Sequence, residues 1–325
     1  MSQEHPCFKP TVTRRACLLG GVSIATTVMG IARAQTAPKT YPLATSSLIL
    51  DVAAAGDALI AIGDRGFILR SIDGGQSWAQ TPSPTDVMLT ALAMTSATTG
   101  IAVGHDATIL RTTDGGQTWA VKAQEPDLET PLLDVMFDTP DHGLAVGAFG
   151  LIKETQDGGE TWQEHRITDG EPHLYAMTTA ADGALFVVGE AGAMYRSTDR
   201  GTTWAPVKSS PYDGTYFGVM ALLDESLLAF GLRGNLFRSR DQGKAWEEIS
   251  TGTTASLMGG VQRKDGSIYI VGLSGAVLTS IDGVSFQLTS LHDREALSGV
   301  LETPAQKMIA YGERGFRVLD QEALK

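Results

Sequence analysis

An aspartate that recurs six times is the residue of this chain best placed to do chemistry. Glycine follows each copy within two positions, and an aromatic residue follows four or five positions on, as in SIDGGQSW at 71–78. A calcium ion takes about six to eight oxygen ligands, whereas each phrase offers one carboxylate. We therefore interpret the phrase, called the Asp box below, as a structural turn whose carboxylate accepts backbone N–H bonds. The six boxes contain Asp73 and Trp78, Asp114 and Trp119, Asp157 and Trp162, Asp199 and Trp204, Asp241 and Trp246, and Asp282 and Phe286.

Other signatures of catalysis or metal binding are missing from the sequence. It contains no G-x-S-x-G, Walker, G-x-G-x-x-G or H-E-x-x-H pattern. The histidines after residue 100 lack the spacing of metal ligands, and both cysteines, Cys7 and Cys17, lie in the first 17 residues. We therefore predict no metal and no cofactor.

The elements that must position these residues are repeated sheets. Successive box aspartates are 41 to 43 residues apart, a period typical of stacked supersecondary units. Before each box, an apolar strand, a Gly-x-x-Gly turn and another strand follow one another, as in IAIGDRGFILRS at 60–71. With an inner strand before them and an outer strand after the box, they make a four-stranded antiparallel propeller blade.

Hairpin glycines give the number of blades. Seven of them recur with the period: Gly63, Gly104, Gly147, Gly189, Gly231, Gly272 and Gly312. The last unit ends without a box or an outer strand, while residues 38–43 stand one period ahead of the outer strand that follows Trp78. We predict an all-β, seven-bladed propeller over residues 35–325, a single domain whose seventh blade is completed by the N-terminal strand.

One face of this ring should carry the binding surface. The turns between second and third strands and the links between blades open around the channel, where propellers bind ligands. We expect a partner-binding mouth formed by Arg65, His105, Phe149, Tyr175, Tyr216, Arg233 and Arg314. Another basic series precedes the boxes, and we expect its members to stack on the tryptophan of a neighbouring blade: Arg70, Arg111, Lys153, Arg196 and Arg238.

The first 34 residues are typical of an export signal. Thr13–Arg14–Arg15 precedes a mildly apolar stretch that ends at Ala32–Arg33–Ala34, which predicts twin-arginine export and a periplasmic protein. Cleavage there removes four basic residues and one acidic residue. The 25 basic and 37 acidic residues become 21 and 36, and the net charge becomes −15. A surface with this charge disfavours nucleic acid as a partner. We expect a monomeric ring.

The repeats VGHDATILRTTDGGQTW and VGEAGAMYRSTDRGTTW resemble those of the photosystem II stability/assembly factor family. The resemblance extends over residues 38–320 and implies a seven-bladed assembly chaperone that docks on a membrane protein through a basic patch on one face. On that basis we expect a non-catalytic periplasmic scaffold for a membrane-embedded or envelope complex, a transporter among the candidates. Arg65, Arg233 and Arg314 would be its docking residues.

Two alternatives remain open. Asp boxes also occur in sialidase-like glycoside hydrolases, which would need two carboxylates about 5–10 Å apart at the mouth. The candidates, Asp106, Glu190 and Glu313, lie on blades two, four and seven. A lectin-like module that binds a glycan without cutting it would also suit the aromatic residues of the mouth.

Overall fold

The computed structural model describes residues 41–126, 130–167 and 171–320. Within these residues the chain forms seven antiparallel sheets in sequence order, which confirms the predicted seven-bladed propeller. Helical structure in the described ranges is limited to 3-10 turns such as Ala44–Ser46. The predicted export signal over residues 1–34 lies outside the described residues.

Each of the first six blades contains four strands. Blade one consists of β1 (Ile49–Ala55), β2 (Ala58–Gly63), β3 (Ile68–Ser71) and β4 (Ala79–Thr81). Blade two consists of β5 (Leu89–Met94), β6 (Gly100–Gly104), β7 (Ile109–Thr112) and β8 (Ala120–Ala123). Blade three consists of β9 (Leu132–Phe137), β10 (Gly143–Gly147), β11 (Leu151–Thr155) and β12 (Gln163–Arg166). Blade four consists of β13 (Leu174–Thr179), β14 (Leu185–Gly189), β15 (Met194–Ser197) and β16 (Ala205–Pro206).

The remaining blades follow in the same order. Blade five consists of β17 (Tyr216–Ala221), β18 (Leu227–Gly231), β19 (Leu236–Ser239) and β20 (Glu247–Glu248). Blade six consists of β21 (Leu257–Gln262), β22 (Ile268–Gly272), β23 (Ala276–Ser280) and β24 (Gln287–Ser290). Blade seven consists of β25 (Leu297–Glu302), β26 (Met308–Gly312) and β27 (Gly315–Val318).

Antiparallel order divides the loops between two faces. The first hairpin of each blade and its Asp box open on one face, called the box face below. The second hairpin and the link to the next blade open on the other, called the mouth face. The core lies between blades, because the second strands are sandwiched there and all their residues are buried except Tyr269 of β22.

The hairpin glycines are required by a close backbone approach. A Cβ at Gly63 would lie 2.1 Å from the carbonyl oxygen of Leu48, the residue before the inner strand. The amide of the next residue, Asp64, donates to that same carbonyl at 3.1 Å. The same contact recurs in all seven blades, with a Cβ-to-oxygen distance of 2.0 to 2.2 Å. Each blade therefore admits only glycine at this position.

The Asp box is a closed hydrogen-bonded turn. In blade two the carboxylate of Asp114 accepts the amides of Gln117 and Thr118, both at 2.9 Å, and the Thr118 hydroxyl at 2.6 Å. The hydroxyl of Thr112 donates to the same carboxylate and accepts the Gly116 amide. In the equivalent turn of blade one, the hydroxyl and amide of Ser77 lower the pKa of Asp73 to about 2.

The basic residues before the boxes do not stack on tryptophan as predicted. Arg70 and Arg111 instead donate to the backbone carbonyls of Gly115 and Gly158, in the box of the following blade. Arg238 likewise donates to the carbonyl of Asp282. The placement of Lys153 in this series was wrong, because Glu154 pairs with Leu144 and holds the equivalent register position. Lys153 faces the other side of the sheet and pairs with Glu125 and Glu164.

Blade seven has three strands within the described residues. The N-terminal fourth strand is not confirmed, because residues 41–43 form a turn and residues 38–40 lie outside the described ranges. The ring nevertheless closes through side chains of the first and last blades. The hydroxyl of Tyr311 donates to Asp51 at 3.1 Å, and Trp78 stacks on Phe316 with 3.9 Å between ring centroids.

Candidate functional site: the channel mouth

A bulge in the inner strand of every blade builds the entrance of the channel. In β1, Ile49 pairs with Gly63 and Asp51 with Ile62, so Leu50 has no partner in the ladder. Bulges redirect a side chain without ending the sheet. The second residue of each inner strand is displaced in this way and lines the central channel half-buried: Leu50, Thr90, Leu133, Tyr175, Phe217, Met258 and Ser298.

This entrance ring is mostly apolar. Leucine, methionine and aromatic side chains occupy five of its seven positions, while Thr90 and Ser298 are polar. Tyr175 and Phe217 touch edge to face, with 5.3 Å between ring centroids. Such a pair is a stiff, amphipathic contact surface of the type that is enriched in protein interfaces.

Two carboxylates line the channel beneath the entrance ring. Asp51 accepts the amides of Val52 and Leu92 at 2.8 Å, and Asp134 accepts those of Val135 and Met177 at 2.8 and 2.7 Å. Leu92 and Met177 belong to the next blade in each case. Each carboxylate thus joins two neighbouring inner strands.

Both carboxylates hold their protons unusually strongly. Burial raises the pKa of Asp51 to about 6, although the amides of Leu92 and Val52 and the Tyr311 hydroxyl act in the opposite direction. Burial also raises the pKa of Asp134 to about 7, opposed by the Met177 amide, while the charge of Asp51 adds to the rise. Sequence reasoning missed this pair. The signal was an aspartate at the same place in two apolar inner strands, ILDVAA at 49–54 and LLDVMF at 132–137.

The channel at this level is narrow. Its volume is about 230 Å³, below the roughly 300–1,000 Å³ of pockets that enclose small-molecule ligands. It can admit one side chain or a few waters. The geometry therefore suits contact with a surface laid across the mouth better than enclosure of a substrate.

Around the entrance ring, the hairpin tips carry five of the predicted mouth residues. Arg65, His105, Phe149, Arg233 and Arg314 are exposed there. Three of them have left-handed backbone angles, with φ of 52° at Arg65, 56° at Phe149 and 59° at Arg233. Phe149 is 48 % exposed and lies edge to face with His173, 4.8 Å between centroids.

Tyr216 does not belong to this surface, so its assignment to the mouth was wrong. It is fully buried, and its hydroxyl lies 3.1 Å from that of Ser210. Its neighbour Phe217 is the residue that the bulge turns into the channel. The aromatic contact therefore comes from Phe217 with Tyr175.

The three mouth arginines lie on blades one, five and seven. Arg65 lies 3.5 Å from Asp64, and Arg314 lies 3.3 Å from Glu295. Acidic neighbours thus offset the charge of two of the three. The surface is better described as an apolar ring with a mixed-charge rim than as a basic patch.

The mouth carboxylates considered for hydrolysis are also spread around the ring. Asp106, Glu190 and Glu313 occupy hairpin tips of blades two, four and seven, and Glu190 accepts the amide of His173 at 2.9 Å. Within residues 41–126, 130–167 and 171–320, no three histidine, cysteine or acidic side chains gather as metal ligands. In the same ranges no helix has the length and apolar character needed to cross a membrane.

Comparisons with known proteins agree with this architecture. Residues 121–295 match the family model described as photosynthesis system II assembly factor YCF48. The structure "YCF48 bound to D1 peptide" is similar at 19 % identity and a TM-score of 0.69, covering 84 % of this chain and 91 % of that one. YCF48 from Cyanidioschyzon merolae gives 16 % identity, a TM-score of 0.67 and coverage of 86 % and 98 %. Virginiamycin B lyase from Staphylococcus aureus gives 14 % identity, a TM-score of 0.71 and coverage of 84 % of this chain and 94 % of that one. No curated protein sequence matches.

Proposed function

The chain belongs to the family of the photosynthesis system II assembly factor YCF48, and we propose that it is a non-catalytic scaffold whose mouth face docks on a membrane-embedded or envelope protein complex. The observation that carries the proposal is the half-buried apolar ring at the channel entrance, with Tyr175 packed on Phe217 at its rim. One similar structure is YCF48 bound to a D1 peptide, which supports a polypeptide as the kind of ligand.

We place the protein in the periplasm, after export by the twin-arginine route. The support is the sequence Thr13–Arg14–Arg15 followed by Ala32–Arg33–Ala34. Fractionation of cells that express the full chain tests this, with Arg14→Lys/Arg15→Lys as the variant. We expect the shortened chain in the periplasm for the natural sequence and the full-length chain in the cytoplasm for the variant. Periplasmic delivery of both would contradict the route.

Docking is tested by photo-crosslinking in intact cells. A photoreactive amino acid replaces Met258 in the entrance ring and, as the control, Thr113 on the box face. We expect an adduct with a membrane or envelope protein only from position 258, identified by mass spectrometry. Equal adducts from both positions, or none from position 258, would refute docking through the mouth.

A glycan remains the second candidate ligand, because the Tyr175–Phe217 pair presents aromatic faces that could stack on a sugar ring. Binding of the purified chain to a glycan array, lost on Phe217→Ser, would favour that function. Release of a chromogenic aglycone by the same preparation would instead identify a hydrolase. Neither result is expected for a polypeptide-binding scaffold.

A further inference from the structure

Each Asp box occupies a specific place on the preceding blade. The second glycine of the blade-two box packs on Ile60 of blade one, where a Cβ would lie 2.4 Å from that side chain. The corresponding glycines of blades three, four and five meet Ile101, Leu144 and Phe186 at 2.3 to 2.6 Å. The box of one blade therefore packs over the second strand of the preceding blade.

The aromatic residue of each box belongs to the same contact. Trp78, Trp119, Trp162, Trp204, Trp246 and Phe286 each join the apolar cluster at the junction with the preceding blade. The junction between blades six and seven is the exception among the described residues. Its cluster contains Leu319 but no box aromatic.

Within the described residues, no box of blade seven covers blade six. The nine residues after Phe316, RVLDQEALK, contain neither glycine nor an aromatic residue. Register shows which residues are left uncovered: Tyr269 pairs with Thr279 as Ile60 pairs with Arg70. Tyr269 is also the one second-strand residue in the described ring that is not fully buried.

A cavity of about 540 Å³ lies over this uncovered surface. We call it the blade-six seat, and six of its lining residues carry the argument: Ser267, Tyr269, Thr279, Ile281, Phe286 and Thr289. Ile281 is 89 % exposed. Blade one also has an exposed isoleucine at the equivalent position, Ile72, whereas blades two to five hold Thr113, Gln156, Thr198 and Arg240. The seat thus combines an aromatic ring, an aliphatic side chain and hydroxyl groups.

We propose that the blade-six seat binds a loop of a partner polypeptide in which a glycine turn is followed by an aromatic residue, in the place that a box of blade seven would occupy. The other junctions indicate the chemistry of the occupant, because the aromatic residue of a box packs at each of them. A second copy of the chain cannot supply it, since every box aromatic is packed in its own ring. The seat lies on the box side of the outer rim, so it is separate from the mouth.

Thr279 provides a directional test. Arg70, Arg111 and Arg238 hold the covering box by donating to its backbone carbonyls, and threonine stands at the equivalent position of blade six. Thr279→Arg should restore that donor and tighten binding about fivefold, the effect of one hydrogen bond. Thr279→Glu should weaken binding, because its charge would face the carbonyls and carboxylate of the bound loop.

The probe is a fluorescein-labelled peptide that copies residues 112–122 of this chain, and its binding to the purified ring is followed by fluorescence anisotropy. We expect saturable binding, at least about tenfold weaker for the same peptide with Trp119→Ala. Thr113→Arg, which adds the same charge at an exposed position of blade two, is the matched control and should leave the affinity unchanged. Thermal unfolding of every variant checks that the ring is intact.

Three outcomes would overturn the proposal. They are no binding of the natural peptide, equal binding of the two peptides, or equal effects of Thr279→Arg and Thr113→Arg. Binding that appears only when residues 321–325 are deleted would identify the chain's own tail as the occupant and would also refute a partner loop.

Discussion

The phenolic hydroxyl of Tyr311 in the last blade donates a hydrogen bond to the carboxylate of Asp51 in the first, at 3.1 Å. Tyr311 is buried in the junction, and the two residues are 260 positions apart in the chain. The bond therefore ties the first and last blades at the level of the inner strands. It also connects ring closure to the protonation of a channel carboxylate.

Removal of this hydroxyl should loosen the ring. Tyr311→Phe leaves the carboxylate of Asp51 with one partner fewer in a buried place, which costs about 1–3 kcal/mol of the free energy of unfolding. Urea denaturation measures this loss in the free energy of unfolding. Tyr212→Phe is the control, because its hydroxyl makes only a 3.5 Å contact with the Leu232 carbonyl, and a loss below about 0.5 kcal/mol is expected. Equal losses for the two variants would contradict a special role for the closure bond.

Stability should fall as pH rises from about 4 to 7. The pKa values of Asp51 and Asp134 are raised to about 6 and about 7 from 3.8, so in this range the folded ring binds more protons than the unfolded chain, and ionisation destabilises it. Below about pH 4 the sign reverses, because the pKa of Asp73 is lowered to about 2 and protonation of the box removes its bonds.

The measurement is the urea midpoint in a buffer series from pH 3 to pH 8. Asp51→Asn/Asp134→Asn should flatten the decline between pH 4 and 7, because the titrating groups are gone. Asp265→Asn, at an exposed turn on the box face, should leave the decline as it is. A double variant that keeps the full slope would show that other groups cause it.

The left-handed tip of blade two should tolerate glycine with little change in stability. Ala107 has a φ of 47°, whereas the corresponding residue of blade one is Gly66 with a φ of 69°. Relief of left-handed strain is worth about 1–2 kcal/mol, while the entropic cost of glycine is about 0.5–1 kcal/mol and the loss of the fully buried Ala107 methyl group costs about 0.8 kcal/mol. These contributions nearly cancel, so Ala107→Gly should change the free energy of unfolding by less than about 1 kcal/mol.

The reverse exchange in blade one provides the comparison. A Cβ at Gly66 would lie 2.3 Å from the carbonyl of Thr85, so Gly66→Ala should destabilise the ring by more than about 2 kcal/mol. Differential scanning calorimetry compares the stability of the two variants. A loss for Ala107→Gly as large as the loss for Gly66→Ala would contradict this prediction.

A charge in the entrance ring should abolish docking without unfolding the protein. Met258 is half-buried on a bulge outside the ladder, so Met258→Asp disturbs no backbone bond but places a carboxylate among apolar side chains. We expect recovery of the membrane client by affinity purification to fall at least about tenfold. Ile72→Asp, at a 76 % exposed position on the box face, should leave recovery unchanged, and a parallel loss there would contradict docking through the mouth.

The fold could be predicted from the sequence because its restraints are local and repeated. The glycines that count the blades are required by a backbone contact to the residue before the inner strand, so each reports a complete hairpin. The predicted fourth strand of blade seven depends instead on a pairing between distant chain ends. The repeat period places residues 38–43 at that position, but it does not ensure that they pair there.

The candidate site was harder to predict because a shift of one residue exchanges the two faces of a strand. Tyr216 and Phe217 are adjacent aromatic residues, and only the bulge decides that Phe217 enters the channel. Lys153 failed for the same reason, since Glu154 holds the register position that spacing assigned to it. Asp51 and Asp134 were readable as polar residues in apolar strands, but their link to the next blade required the structure.

The seven bulges have a consequence for how such a ring can acquire a new ligand. Thr90 ties blade two to blade three, since its hydroxyl donates to the Leu132 carbonyl at 2.6 Å. The other six displaced residues stand outside the ladder of their own blade, so each can be exchanged with little cost to the framework that carries it. Entrance chemistry and structural integrity are thus separate properties of the same strands. A ring of this construction can change its binding preference through single substitutions at six of the seven displaced positions, while its architecture stays as it is.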